Sequence, residues 1–351
     1  MLSQRRVCRW GVLCCAAVSP CRSLRVQSIG SRTLASAQKF AKLCDIPTAH
    51  GSYESLVADP QVDVIYIATP TALHAQHALL ALRAGKHVLC EKPFAESAEA
   101  AAAVLEEARR LGLTCLEAMW TRYCPAVDAA LTHVRTGTIG RVLAVQSDFG
   151  CQFPIPSGAL DAIGCYCIAL SQMVYSADKQ RAQWESEWIE ENGQRRPPSS
   201  SQPPPAELVS PSKLQALGTL TASGVDSQVS VQMAYASDQL SQWSASLLVN
   251  GPCEATITGV HGRIRLPGPL WHSAAEVRVM DSVERFDQCE QPLDAFPRPF
   301  HLLHSQRLVH EAVEMGRCVR AKMLESPGWS HEQIVQSMKI MEQVRQQIRE
   351  P

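Results

Sequence analysis

What this chain lacks excludes several classes of function before any motif is considered. No apolar run approaches the roughly 20 residues that a helix needs to cross a bilayer, so no membrane-spanning helix is expected. Basic and acidic residues nearly balance, with a formal net charge of −1, so the basic excess that draws a nucleic acid or an anionic membrane surface is missing. The fourteen cysteines never fall at C-x-x-C spacing; Cys14-Cys15 and Cys165-Tyr166-Cys167 are the only close pairs. That argues against zinc-ribbon and thioredoxin-like chemistry and leaves reduced thiols in a cytoplasmic protein. His, Asp and Glu do not cluster at ligand spacing either, so neither a metal site nor a metal-dependent hydrolase is expected.

At 351 residues, 46% of them hydrophobic, the chain has the length and apolar content for two domains. Its most informative stretch is residues 62–94, VDVIYIATPTALHAQHALLALRAGKHVLCEKPF. The β-branched run 64–68 is a short strand that stops at Thr69-Pro70-Thr71. Helix formers fill 73–84 up to Gly85, and a second apolar strand covers 87–90. Strand, crossover helix and strand make a parallel pair, and small ligands bind beyond the carboxyl ends of strands in open parallel sheets. Those ends carry Thr69, Pro70 and His74 on one side and Glu91-Lys92-Pro93 on the other. Lys92 is therefore a candidate for chemistry.

The N-terminus admits two readings. Arg5, Arg6 and Arg9 precede the apolar residues 10–18, as in a targeting segment; residues 9–13 also suit the buried first strand of a nucleotide-binding sheet. The strand at 23–29 and the helix at 34–43 that follow favour the second reading. Such a sheet normally turns through G-x-G-x-x-G or G-x-G-x-x-A, whose backbone approaches a pyrophosphate at a helix N-terminus. No such loop is present, and only about nine residues separate the two strands, fewer than a turn and crossover helix need. The second strand ends at Gly30-Ser31-Arg32. An arginine there pairs with the 2′-phosphate of NADP, where an acidic residue would accept from the ribose of NAD; the plainer alternative is a solvated arginine at a helix start.

The stretch ATPTALHAQHALLALRAGKHVLCEKP resembles the glucose-fructose oxidoreductase/inositol dehydrogenase family of nicotinamide-dependent oxidoreductases, whose hallmark is the E-K-P motif. EAMWTRYCPA at 117–126, GCYC at 164–167 and the later HEAVEMGRCVRAKMLESP are similar to a branch whose members use NADP to oxidise aromatic trans-dihydrodiols to catechols or D-xylose to its lactone. The resemblance covers residues 24–150 and 212–350. It implies an α/β plus α+β fold: a Rossmann-like parallel sheet in residues 1–123, its first turn incomplete, then an α+β substrate and dimerisation domain in 124–351. That second part would hold a large, mostly antiparallel sheet, with C-terminal helices returning to the first. The residues agree, with β-rich segments at 142–149, 213–221, 228–235, 243–249, 254–258 and 262–266 and helical periodicity at 304–322 and 330–349.

The resemblance also implies roles. Tyr166 would be the base that takes the hydroxyl proton, its phenolate favoured by the ammonium of Lys92. Arg32, Tyr66, Thr69, Pro70, Leu73, His74, Glu91, Lys92 and Asp161 would serve cofactor binding. Trp120, Arg122 and Trp271 would frame a flat substrate pocket by stacking and hydrogen bonding, although tryptophans are more often core. The partner expected beyond the diol or sugar substrate is a second copy, in a homodimer built on the exposed face of the late sheet.

Three departures stand against this pattern. The glycine loop is missing. Asp161 lies five residues before Tyr166 rather than four, which on a helix rotates it about 100° away and leaves Ala162 at the motif position. Residues 181–210, rich in charge, then proline and serine, read as a disordered insertion between sheet strands, with Pro203-Pro204-Pro205 a weak polyproline signal. Together they open a second reading: a chain that keeps the fold, binds cofactor poorly and acts as a non-catalytic partner.

Overall fold

The computed structural model describes residues 8–13, 24–152, 157–191, 194–196, 204, 206–236, 238–286 and 305–349. It divides into two compact units, Met1–Trp120 with Gln288–Met338, and Thr121–Asp287 with Lys339–Pro351.

The first unit is a six-stranded parallel sheet. Its strands are β1 (Cys8–Leu13), β2 (Leu24–Gly30), β3 (Thr48–His50), β4 (Val64–Ile67), β5 (His87–Glu91) and β6 (Cys115–Ala118). They lie in the order β3-β2-β1-β4-β5-β6, the doubly wound arrangement whose strand order reverses between β1 and β4. Residues 8–13 thus form the first strand, paired with both β2 and β4, as the strand reading requires. Residues 14–23, where the glycine loop would fall, lie outside the described residues.

Local chemistry sets the connections. Helix α1 (Leu34–Cys44) starts at Thr33, whose hydroxyl accepts from the Ser36 N–H, and stops at Asp45 in the left-handed region. Helix α2 (Tyr53–Val57) leads into β4 and α3 (His74–Arg83) leads out of it. Helix α4 (Ala98–Leu111) is capped by Ser97 and ends at Gly112, with φ +66°, a conformation glycine adopts without a Cβ penalty. All four residues of β4 are buried, as expected for a central parallel strand.

The second unit opens with α5 (Pro125–Arg135) and β7 (Val142–Gly150). A π-helical turn at Leu160–Gly164 runs into α6 (Cys165–Trp184), and a short pair, β8 (Ile189–Glu191) and β9 (Gln194–Arg196), comes next. Then come β10 (Lys213–Leu220), β11 (Asp226–Ala234), β12 (Leu240–Ser246), β13 (Ala255–Gly259), β14 (Gly262–Leu266), β15 (Glu276–Val279) and β16 (Ser282–Arg285). The large sheet has the order β10-β11-β12-β7-β13-β14-β15-β16; only the β12–β7 pairing is parallel. Val145, Val229, Val231, Trp243 and Ile257 are buried on one face, while Gln146, Ser230, Gln232, Gln242 and Ser244 on the other are exposed.

Two expectations are corrected here. The strand read at 243–249 is β12, three residues earlier: Ser241, Trp243 and Ala245 point inward, and a polar start hid the strand until pairing with β7 and β11 fixed its register. The stretch read as an insertion from residue 181 begins inside a helix. Helix α6 continues to Trp184, which is buried, because Arg181 is drawn in by Asp178 at 2.8 Å and Glu185 at 2.6 Å. Beyond it, Gln180 Nε2 donates to the Pro204 carbonyl at 2.7 Å and Lys179 pairs with Glu207 at 2.6 Å. Residues 192–193, 197–203 and 205 lie outside the described residues, and with them Pro203 and Pro205.

The chain ends with α7 (Val309–Arg320) and α8 (His331–Arg349). Met315 and Cys318 of α7 join Val64, Tyr66, Leu89, Leu116 and Ala118 in one buried apolar cluster of the first unit. The segment after α7 bonds to β6, the Cys115 N–H donating to the Leu324 carbonyl at 3.0 Å and the Thr114 hydroxyl to that of Met323 at 2.7 Å.

Candidate active site

In the first unit the ends of β4 and β5 are tied to each other by side chains. Buried His74 faces two carbonyl oxygens, Thr69 O from Nε2 at 2.7 Å and Pro93 O from Nδ1 at 2.9 Å. Carbonyls only accept, so both bonds are made at once only when both ring nitrogens carry a proton. The Tyr66 hydroxyl donates to Glu91 Oε1 at 2.5 Å, and the other oxygen of Glu91 accepts from the Lys92 N–H at 3.1 Å. Burial, with the negative charge of Glu91 behind it, pushes the Tyr66 phenol well above its ordinary range, so Tyr66 is a fixed donor and not a base. Thr69 is buried and its hydroxyl meets His77 Nδ1 at 3.0 Å. Pro70 and Leu73 are exposed just past β4, an apolar patch at the strand end. Arg32 is exposed between the end of β2 and the capping residue of α1.

Behind the E-K-P turn stands a group that reasoning from sequence left without a role. Glu117, on β6, is fully buried; Oε1 accepts from the Phe94 N–H at 2.9 Å and Oε2 from the Trp329 indole at 2.7 Å. Burial pushes its carboxyl up to about 7, against the pull of the Trp329 and Phe94 bonds and the nearby Lys92 ammonium. Glu311 on α7 is buried too, and burial with Glu91 and Glu117 nearby raises its carboxyl well above the ordinary range. An acidic residue inside the otherwise apolar strand CLEA was the available signal.

In the second unit Tyr166 sits in the first turn of α6, 6% exposed. Its ring stacks on His272 at 4.9 Å and on Phe149 at 5.7 Å, and those two stack on each other at 4.5 Å. Neither Phe149 nor His272 carries a local motif, so the ring cluster was invisible in the sequence. Trp271, expected to frame the pocket, is instead a core residue: it is fully buried and its indole donates to the Asp148 carbonyl at 2.9 Å.

The rotation expected for Asp161 is also corrected. The residue sits in the π-helical turn, where the Cys165 N–H reaches back to the Leu160 carbonyl; this wider turn takes up the extra residue. Its carboxylate is committed to Arg345 of α8 at 2.6 Å, so the described contact of Asp161 is structural. Arg122 pairs with Asp128 at 3.5 Å, and Trp120 is half-buried at the end of the first unit. Tyr66, Thr69, His74 and Glu91 are thus assembled around the Lys92 turn in one unit, and Tyr166 among aromatic rings in the other. Among the described residues no group of His, Cys, Asp and Glu is placed to hold a metal ion, and no helix is long and apolar enough to cross a membrane.

Comparison with known proteins extends this picture. Residues 15–119 match a family model described as oxidoreductase family, NAD-binding Rossmann fold. The chain is 30% identical over 339 residues to the Bos taurus trans-1,2-dihydrobenzene-1,2-diol dehydrogenase, covering 91% of this chain and 90% of the relative. The Danio rerio protein of the same name is 29% identical over 359 residues, covering 97% and 96%. Among solved structures, a levoglucosan dehydrogenase in complex with NADH and levoglucosan superposes with a TM-score of 0.73 at 18% identity, over 97% of each chain. With the E-K-P turn at the strand ends of a doubly wound sheet and a relative at 30% identity over nine-tenths of both chains, the chain belongs to the GFO/IDH/MocA family of oxidoreductases.

Proposed function

We propose that this chain is an NADP-dependent dehydrogenase that oxidises trans-dihydrodiols of aromatic hydrocarbons to catechols, with D-xylose, oxidised to its lactone, as the second candidate substrate. The observation that carries the reading is the E-K-P turn, locked by Glu91, His74 and Glu117 beside the switch point of the sheet. The cofactor, when bound, supplies the nicotinamide that accepts a hydride from the carbinol carbon. The residues fit it in part. Arg32, exposed beyond β2, suits a 2′-phosphate; Pro70 and Leu73 offer apolar surface; Thr69, Tyr66, His74 and Glu91 shape the turn from which Lys92 would bond the ribose.

Tyr166 takes the hydroxyl proton as phenolate. Phe149 and His272, stacked on the Tyr166 ring, hold its orientation, and we assign the substrate contacts to Trp120 and Arg122. The names of the relatives support the diol. The free thiols of Cys90, Cys115, Cys167, Cys253 and Cys318 accord with a cytoplasmic setting. A homodimer through the polar face of the large sheet completes the proposal.

The second reading, a fold retained without turnover, draws on one observation, the missing G-x-G-x-x-G loop. Fluorescence titration of the purified chain with NADPH, with NADH alongside, separates the two. Micromolar binding that prefers NADPH and weakens at least tenfold in Lys92→Met is expected. No binding at millimolar cofactor would leave the non-catalytic partner.

A further inference from the structure

We propose that Glu117 is the positioning residue of Lys92, its carboxylate pinning the lysine's turn to the C-terminal segment through Phe94 and Trp329. The proposal rests on the reading that Lys92 serves hydride transfer. Each residue of the turn has one backbone group held by a different side chain: the Lys92 N–H by Glu91, the Pro93 carbonyl by His74, and the Phe94 N–H by Glu117. The Glu91 contact is local to the turn, whereas Glu117 reaches from β6 and carries the tie onward to the indole of Trp329, which lies 212 residues away in sequence. Trp329 is itself buried, at 1% exposure, so the turn is anchored to packed core.

The chemistry demands an acid at this place. Both partners are N–H donors, and the two oxygens of a carboxyl group offer an acceptor to each; an amide of the same shape would turn its own NH₂ group toward one of them. The strand around Glu117 is buried at all four positions, and a carboxylate is kept in such a place only when its oxygens are fully bonded. The Lys92 ammonium lowers this carboxyl, though less than the Trp329 and Phe94 bonds do, so the lysine and its anchor are also electrostatic neighbours.

Glu117→Gln and Trp329→Phe test this, read by steady-state kinetics with NADP and a trans-dihydrodiol. A second readout is the NMR resonance of the Lys92 amine after reductive ¹³C-methylation, assigned with a Lys92→Arg blank. Glu117→Gln is expected to lower kcat at least tenfold, with KM for the diol within threefold of the parent, and to shift the Lys92 resonance and its titration. A folded Glu117→Gln variant with kcat within twofold and an unmoved Lys92 resonance overturns the proposal. Should that variant fail to fold, Trp329→Phe decides: it keeps the Phe94 bond and is expected to cost at least threefold in kcat and to move the resonance, and no change in either refutes the assignment. A parent chain that never reduces NADP sinks the functional reading instead, and the Lys92 resonance then decides the positioning by itself.

Discussion

Glu117 carries a cost that can be read as stability. Its carboxyl lies at about 7 in the folded chain against an ordinary value of 4.5. Between those values the folded state holds a proton that the unfolded state has released, so the stabilisation is full below about pH 4.5 and is lost as pH rises to about 7. A displacement of this size is worth at most about 3 kcal/mol. Thermal midpoints between pH 5 and pH 7.5 should therefore fall with rising pH more steeply for the parent than for Glu117→Gln; parallel slopes would show that the buried acid does not titrate there. Tyr66 stands in the same small region with a different assignment. Its phenol keeps its proton because burial and Glu91 both oppose the phenolate.

Helix α6 keeps its last turn although the segment after it is rich in charge, proline and serine. Asp178 accepts from the Val142 N–H at 3.1 Å, from Arg181 Nε at 2.8 Å and from Gln239 Nε2 at 2.9 Å. It joins the helix to the start of β7 and to the residue before β12. Arg181 is 5% exposed, and removing one member of a buried pair strands the other charge at a cost of about 3–5 kcal/mol. Because Glu185 remains on Arg181, Asp178→Ala should sit near the lower end, about 3 kcal/mol. Chemical denaturation followed by tryptophan fluorescence measures it; a loss below about 1 kcal/mol, the range of an exposed pair, would mean that the network adds little. The neighbouring π-turn makes the same point in backbone form, since one extra residue before Tyr166 is absorbed by widening a turn at Leu160–Gly164.

For the whole molecule, the question is what the second unit's open sheet face meets. The large sheet exposes Gln146, Ser230, Gln232, Gln242 and Ser244 on one side, with Leu217 on β10 81% exposed beside them. An open face of uncharged polar side chains can pack against a copy of itself around a two-fold axis. We expect a dimer by sedimentation velocity at micromolar concentration. Ser230→Lys with Ser244→Lys, placing four like charges at the two-fold, should convert it to monomer; a parent that sediments as a monomer would remove the proposal. The edge of that sheet at β10 is already occupied, because Gln347 of α8 accepts from the Ala216 N–H at 2.7 Å and donates to the Leu214 carbonyl at 3.1 Å. A side-chain amide there stands in for a further strand and blunts the edge.

The sequence by itself determined the parallel β-α-β unit and the place of Lys92 at its strand ends, because strand period, helix formers and turn residues all act within a few positions of one another. It also determined most strands of the large sheet, since alternation of buried and exposed residues survives in a sheet with one open face, while the two-part α/β plus α+β plan came with the family resemblance. Only the tertiary structure decided that Trp271 is core, that Asp161 answers to Arg345, that Phe149 and His272 close on Tyr166, and that Glu117 joins the lysine turn to Trp329. Each of these contacts links residues from about 17 to more than 200 positions apart, and a hydrogen bond or ring stack between distant residues leaves no period in the chain. Trp271 itself could have faced a pocket or the core, and the fold chose by giving its indole the Asp148 carbonyl. A buried polar side chain settles wherever the packed chain supplies its partner.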